Sequence, residues 1–221
     1  MNAKPPASRE VSIPVGRVTL PGTLTLPVAP RGIVLFAHGS GSSRHSPRNR
    51  FVADVLVDAG VATLLFDLLT PAEDRNDQTR FDIPLLTTRL TGATAWLATE
   101  PVLAALPVGY FGASTGAAAA LDAAAAAGSG VRAVVSRGGR PDLAGADALA
   151  RVTAPTLLLV GGDDDQVIEL NRAAKALMRC DCVLAIVPGA THLFEEPGTL
   201  EAVAVAARDW FVRRFARADG G

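Results

Sequence analysis

Short apolar runs alternate with stretches of helical periodicity along most of this chain. Residues 32–37 (GIVLFA), 61–66, 108–111, 131–135, 156–160 and 182–187 (CVLAIV) are apolar over nearly their whole length. Runs this short and this continuous, without polar alternation, are expected of strands buried on both faces. Between them lie helical patterns at about 51–59, 84–99, 117–127, 142–151 (short), 167–178 and 198–215. Before them, residues 11–27 show β-branched alternation broken at Gly16-Arg17 and Pro21-Gly22. That pattern predicts short antiparallel strands at a sheet edge, where proline is tolerated. Regular β/α alternation predicts an α/β fold with a doubly wound, mainly parallel sheet flanked by helices. We expect one domain over residues 10–217, with flexible termini at 1–9 and 218–221.

Composition narrows the partner more than the fold. The 221 residues fit one core, which at this length buries roughly 70% of the unfolded chain's surface. A net charge of −1 recommends neither nucleic acid nor an anionic membrane as partner, so a small-molecule substrate is expected. The N-terminal residues lack the apolar centre of a signal peptide, and no apolar run reaches the roughly 18 residues of a membrane span. A cytoplasmic protein is expected, with no membrane and no nucleic acid partner. The two cysteines, Cys180 and Cys182, would point the same way on a strand, a poor disulfide geometry, and they have no histidines nearby to complete a zinc site. No metal or cofactor is expected.

The chemistry gathers at the predicted carboxyl ends of strands, where ligands bind in sheets of this kind. His38, Asp67, Ser114, Arg137, Asp164 and His192 all fall at or just beyond such ends. Among them Ser114 stands in Gly112-Ala113-Ser114-Thr115-Gly116, between an apolar strand and the alanine-rich helix beginning at Ala117. Gly-x-Ser-x-Gly at a strand-to-helix turn is the form of a nucleophile elbow. The glycines are needed because side chains there would collide with the neighbouring strand and helix. With HGSGSSRHSPRNR upstream and GGDDDQVIELN and VPGATHLFEEPG downstream, the chain resembles the α/β-hydrolase superfamily, in its dienelactone-hydrolase-like branch. The resemblance covers nearly the whole chain, with one departure: dienelactone hydrolases proper use a cysteine nucleophile, and this elbow carries a serine.

The resemblance implies an α/β-hydrolase fold and a Ser…Asp…His order along the chain. Ser114 is then the nucleophile and His192 the base that takes its proton. Three adjacent aspartates, 163 to 165, compete for the third role, and the register Gly-Gly-x-Asp-x-x-Val selects Asp164. Oxyanion donors are expected from the backbone N–H groups of Thr115 and Ser40, with Gly41 in reserve. His38 is expected to organise its loop at the edge of a substrate site that includes Gly39 and Gly41. Arg137 follows a strand beside the elbow strand and is a candidate for gripping a substrate carboxylate, although a salt bridge to a surface acid explains it as well. Only a short helix separates the strand at 131–135 from that at 156–160, so no lid domain is expected and the site should be open. The activity implied is a serine hydrolase for a small or medium ester, lactone or thioester. Acyl transfer on the same triad and a noncatalytic binding module are the alternatives.

Overall fold

The computed structural model describes residues 6–216. Its eight strands form one sheet in the order β1-β2-β4-β3-β5-β6-β7-β8. The strands are β1 (Ala7–Val15), β2 (Val18–Leu26), β3 (Ile33–Ala37), β4 (Ala62–Phe66), β5 (Val108–Ala113), β6 (Val131–Arg137), β7 (Thr156–Gly161) and β8 (Cys182–Val187). From β4 to β8 all neighbours are parallel, while β1 and β2 form an antiparallel hairpin that joins β4 antiparallel. Every residue of β3, β4 and β7 is buried, as their unbroken apolar sequences require.

Helices cover both faces. Helices α1 (Pro47–Asp58) and α7 (Thr199–Phe215) pack on one side through Val52, Leu56, Trp210, Phe211 and Phe215. The other side is covered by α3 (Ile83–Leu97), α4 (Thr115–Ala125) and α5 (Ala146–Arg151), with Leu90, Ala93, Leu121 and Leu149 among the contacts. Ten of the eleven residues of α4 are buried. Its alanines let the helix lie close against the centre of the sheet, which a helix of large side chains could not do. Helix α6 (Asp165–Leu177) follows β7, and α2 (Asp77–Arg80) with a 3-10 turn at Glu73–Arg75 interrupts the long connection after β4. None of the helices among the described residues is long and apolar enough to cross a membrane.

Four local expectations are revised. Strand β1 begins at Ala7, within the stretch expected to be loose, because its pairing with β2 runs the full length from Ala7↔Leu26 to Val15↔Val18. Residues 1–5 and 217–221 lie outside the described residues, so the expected flexible termini are addressed only in part. Strand β2 runs unbroken through Pro21 and Gly22. Gly22 is there for close approach: a Cβ would come within 3.1 Å of both Phe66 Cβ and Val11 Cγ2. Helix α1 starts at Pro47, earlier than its apolar pattern, because the Ser46 hydroxyl accepts from Asn49 N–H and Pro47 is preset for a first helical turn. The short helix expected at 142–151 is a 3-10 turn (Pro141–Ala144) and α5, divided by Gly145 at φ 82°.

Candidate active site

Ser114 sits where β5 turns into α4, with φ 50° and ψ −121°. Positive φ at a non-glycine residue is uncommon and persists only where the surroundings over-determine it. Here they do. The Ser114 N–H donates to Arg137 O at 3.2 Å, and Arg140 N–H donates to Ser114 O at 3.1 Å. A Cβ on Gly116 would run into Ala37 O and His38 O, and one on Gly112 into the Ala117 backbone. The expected reason for both glycines is therefore visible as backbone packed on backbone.

His192 and Asp164 arrive on two loops at the same edge of the sheet. His192 Nδ1 lies 2.7 Å from Asp164 Oδ2, and the Asp164 side chain is only 15% exposed against 39% for His192. A carboxylate at Nδ1 sets the imidazole tautomer so that Nε2 is free to accept a proton. Neither Asp163 nor Asp165 makes this contact. The His192 loop and the elbow meet at Gly138, where a Cβ would be 3.1 Å from His192 O and 3.6 Å from His192 Cε1. Gly138 is the residue after Arg137, whose carbonyl holds Ser114. Among the described residues Ser114 Oγ has no hydrogen-bond partner, and such contacts commonly tighten only with substrate present.

The loop opposite the elbow departs from expectation at Ser40. Ser40 N–H donates to Thr115 Oγ1 at 2.9 Å, so it is already engaged in this state by a hydroxyl from across the site. As an oxyanion donor it would first have to lose Thr115. Thr115 is the first residue of α4, directly after the nucleophile. Gly39 packs directly on the nucleophile, a Cβ there falling 3.0 Å from Ser114 Cβ, and Gly41 adopts φ 68° with open space beside it. His38 is 7% exposed. Its Nδ1 lies 3.0 Å from Gly39 O and its Nε2 accepts from Leu68 N–H at 3.0 Å. The backbone donor at Nε2 places the proton on Nδ1, and burial holds the ring's pKa below the ordinary value. Its edge borders a hollow of 180 Å³ with Ser42, Ser43, Asp67 and Leu69. With both nitrogens used inside the protein, it organises the loop and offers no polar atom to a substrate.

Three supporting contacts were not foreseen. Glu196 accepts from Thr191 N–H at 3.0 Å and from Thr191 Oγ1 at 2.6 Å, bracing the residue before His192. Asn171, on α6, donates through Nδ2 to Gly139 O at 3.0 Å, and so steadies the turn after Arg137. Asp67 holds the loop after β3 through Arg44, accepting from its N–H at 2.7 Å and its Nη1 at 3.1 Å. The one signal for Glu196 in the sequence was a pair of carboxylates three and four residues after the histidine.

Comparison with known proteins agrees with this fold. The family model described as "Alpha/beta hydrolase domain" matches residues 30–207. A crystal structure of dienelactone hydrolase from Anabaena variabilis is 57% identical with a TM-score of 0.91, covering 94% of this chain and 98% of that one. Est1E from Butyrivibrio proteoclasticus, at 16% identity and a TM-score of 0.81, covers 94% of this chain and 99% of its own, and shares the fold. Two Mycobacterium tuberculosis proteins, provisionally named phosphoribosyl transferases, are 65% identical over 211 residues, 95% of this chain and 47% of theirs. The chain thus spans about half the length of the curated relatives it matches.

Proposed function

Because the chain belongs to the α/β-hydrolase family, in its dienelactone-hydrolase-like branch, we propose that it is a serine hydrolase acting through an acyl-enzyme. The substrate is a small or medium carboxylic ester, lactone or thioester. His192 Nε2 accepts the Ser114 proton as Oγ attacks the carbonyl, and Asp164 stabilises the imidazolium at Nδ1. The oxyanion is met by Thr115 N–H, at the start of α4, with a second donor from the 39–41 loop. His192 then returns the proton to the leaving group, and water reverses the sequence at deacylation.

The observation that carries this reading is the pairing of a strained serine at φ 50° with an aspartate-held histidine on the same sheet edge. A binding module has no use for that strain. The phosphoribosyl transfer in the name of the mycobacterial relatives we assign to the part of those proteins outside the matched span. The matched residues carry the elbow and the Asp164–His192 pair, which suit acyl chemistry. The test is labelling by a fluorophosphonate probe together with burst-phase hydrolysis of short p-nitrophenyl esters. Labelling and a burst that both vanish in Ser114→Ala are expected. Wild-type protein that is neither labelled nor active on esters, lactones and thioesters would end the proposal.

A further inference from the structure

Arg137 ends β6 on the face that packs under α1 and α7, since Ala133 and Val135, four and two residues before it, belong to that apolar cluster. It is only 8% exposed. Its Nη1 is sealed from solvent and has no hydrogen-bond partner. Among the described residues no carboxylate pairs with it, and the charge that acts on it is another cation, Arg48, in the first turn of α1. Burial and that repulsion push the Arg137 pKa down to about 10. Arg48 in turn reaches out to Glu195 through Nη1 at 3.2 Å, while its Nε is buried and unpartnered.

A guanidinium buried beside a second one, without a counter-anion, is an arrangement that proteins avoid unless an anion completes it. We propose that Arg137 and Arg48 form the subsite for a phosphate group carried by the ester substrate. The proposal rests on the hydrolase reading given above. Counting donors separates phosphate from the carboxylate expected from the sequence. A carboxylate brings one negative charge and two oxygens to the two guanidinium groups, whereas a phosphate monoester brings nearly two negative charges and three terminal oxygens, which suit donors from both arginines better. The pairing of Arg48 with Glu195 is no barrier to an anion, because their side chains are 33% and 63% exposed and such surface pairs contribute little.

The subsite also lies within reach of the chemistry. Arg137 is the register partner of Ala113, and its carbonyl accepts from the Ser114 N–H. Nucleophile and guanidinium therefore spring from adjacent strands roughly 5 Å apart. A substrate that touches both is a small ester whose phosphate is only a few bonds from the scissile carbonyl.

The test reads binding without turnover. Ser114→Ala protein is titrated calorimetrically, at fixed ionic strength, with inorganic phosphate and with succinate. Phosphate is expected to bind one to one and more tightly than succinate. Arg137→Gln in the same background is expected to weaken phosphate about ten- to hundredfold, the worth of a charged hydrogen bond, and Arg48→Gln to weaken it less. Phosphate affinity unchanged by both substitutions, succinate binding as tightly as phosphate, or no phosphate binding to folded protein would each overturn the proposal. If Arg137→Gln did not fold, Arg48→Gln would decide alone. Failed fluorophosphonate labelling of Ser114 in the wild type would instead strike the hydrolase reading, so the two failures are distinguishable.

Discussion

The two halves of the proposed catalytic machinery are held by different physics. On the nucleophile side, Ser114 is fixed by backbone: hydrogen bonds to Arg137 and from Arg140, and glycines that let α4 press on β3 and β5. On the acid–base side, His192 is placed by side chains. Asp164 grips its Nδ1, Glu196 braces Thr191, and the buried Phe194, at φ 56°, anchors the loop behind it. A backbone arrangement either forms or fails with the fold. A side-chain arrangement can be dismantled one contact at a time while the fold survives, so substitutions on the two sides should differ in kind.

The largest effect is expected from Gly116→Ala. Its Cβ would meet two backbone carbonyls at the end of β3, and backbone cannot swing aside as the end of a side chain can. We expect little folded protein, or destabilisation above about 4 kcal/mol in a denaturant melt. A variant that folded normally and stayed active would break the comparison. Ser114→Ala should do the reverse: it removes the nucleophile while leaving the steric frame intact. Its kcat should fall by a factor on the order of 10⁴ or more, with the melting temperature held or slightly raised. Asp164→Asn should lower kcat about 10⁴-fold, by favouring the wrong imidazole tautomer, with secondary structure by circular dichroism unchanged.

Glu196→Gln sharpens the contrast because it acts through a neighbour. Glutamine keeps one acceptor for Thr191 but loses the charge and one of two strong hydrogen bonds. The base should be held less closely, lowering kcat by about tenfold with KM for a small ester unchanged. A change in KM alone would assign Glu196 to substrate binding and away from positioning.

The same division explains what could be read from the sequence. Strands such as 33–37 and 156–161 announce themselves because burial on both faces demands unbroken apolar runs, and the elbow because only glycine fits against neighbouring backbone. Asp164 was separable from its neighbours by register, and of the three aspartates it is the one beside His192. The errors arise where a residue's role depends on a partner distant in sequence. Pro21-Gly22 looks like a turn until β4 is laid against it. Ser40 looks like a free donor until the Thr115 hydroxyl, 75 residues later, takes its N–H. Whether Arg137 has a counter-ion is likewise settled only in three dimensions, because the sequence offers 22 acidic residues and does not say which lies near it.

The smallest effect tests whether the nucleophile side is wholly a matter of sterics. His38 belongs to that side, since its own carbonyl and that of Ala37 crowd Gly116 and the next residue, Gly39, packs on Ser114. Its ring is held neutral by burial, with Nε2 accepting from Leu68 N–H; protonation would turn that acceptor into a donor facing a donor. In the unfolded chain the ring titrates near pH 6.5, above its folded value. Above that pH both states are neutral and the contribution is complete; below it the unfolded state binds a proton that the folded state refuses. Stability should therefore fall as pH drops from about 6.5 to 5, with His38 contributing at most about 1.4 kcal/mol per unit. The carboxylates Glu10, Glu73 and Glu196, whose pKa values are lowered, make their losses at more acidic pH. Denaturant midpoints between pH 7.5 and 5 should slope less steeply in His38→Gln than in the wild type. Parallel curves would mean that no proton is linked to the loop facing Ser114, leaving backbone packing as the only force that sets the nucleophile.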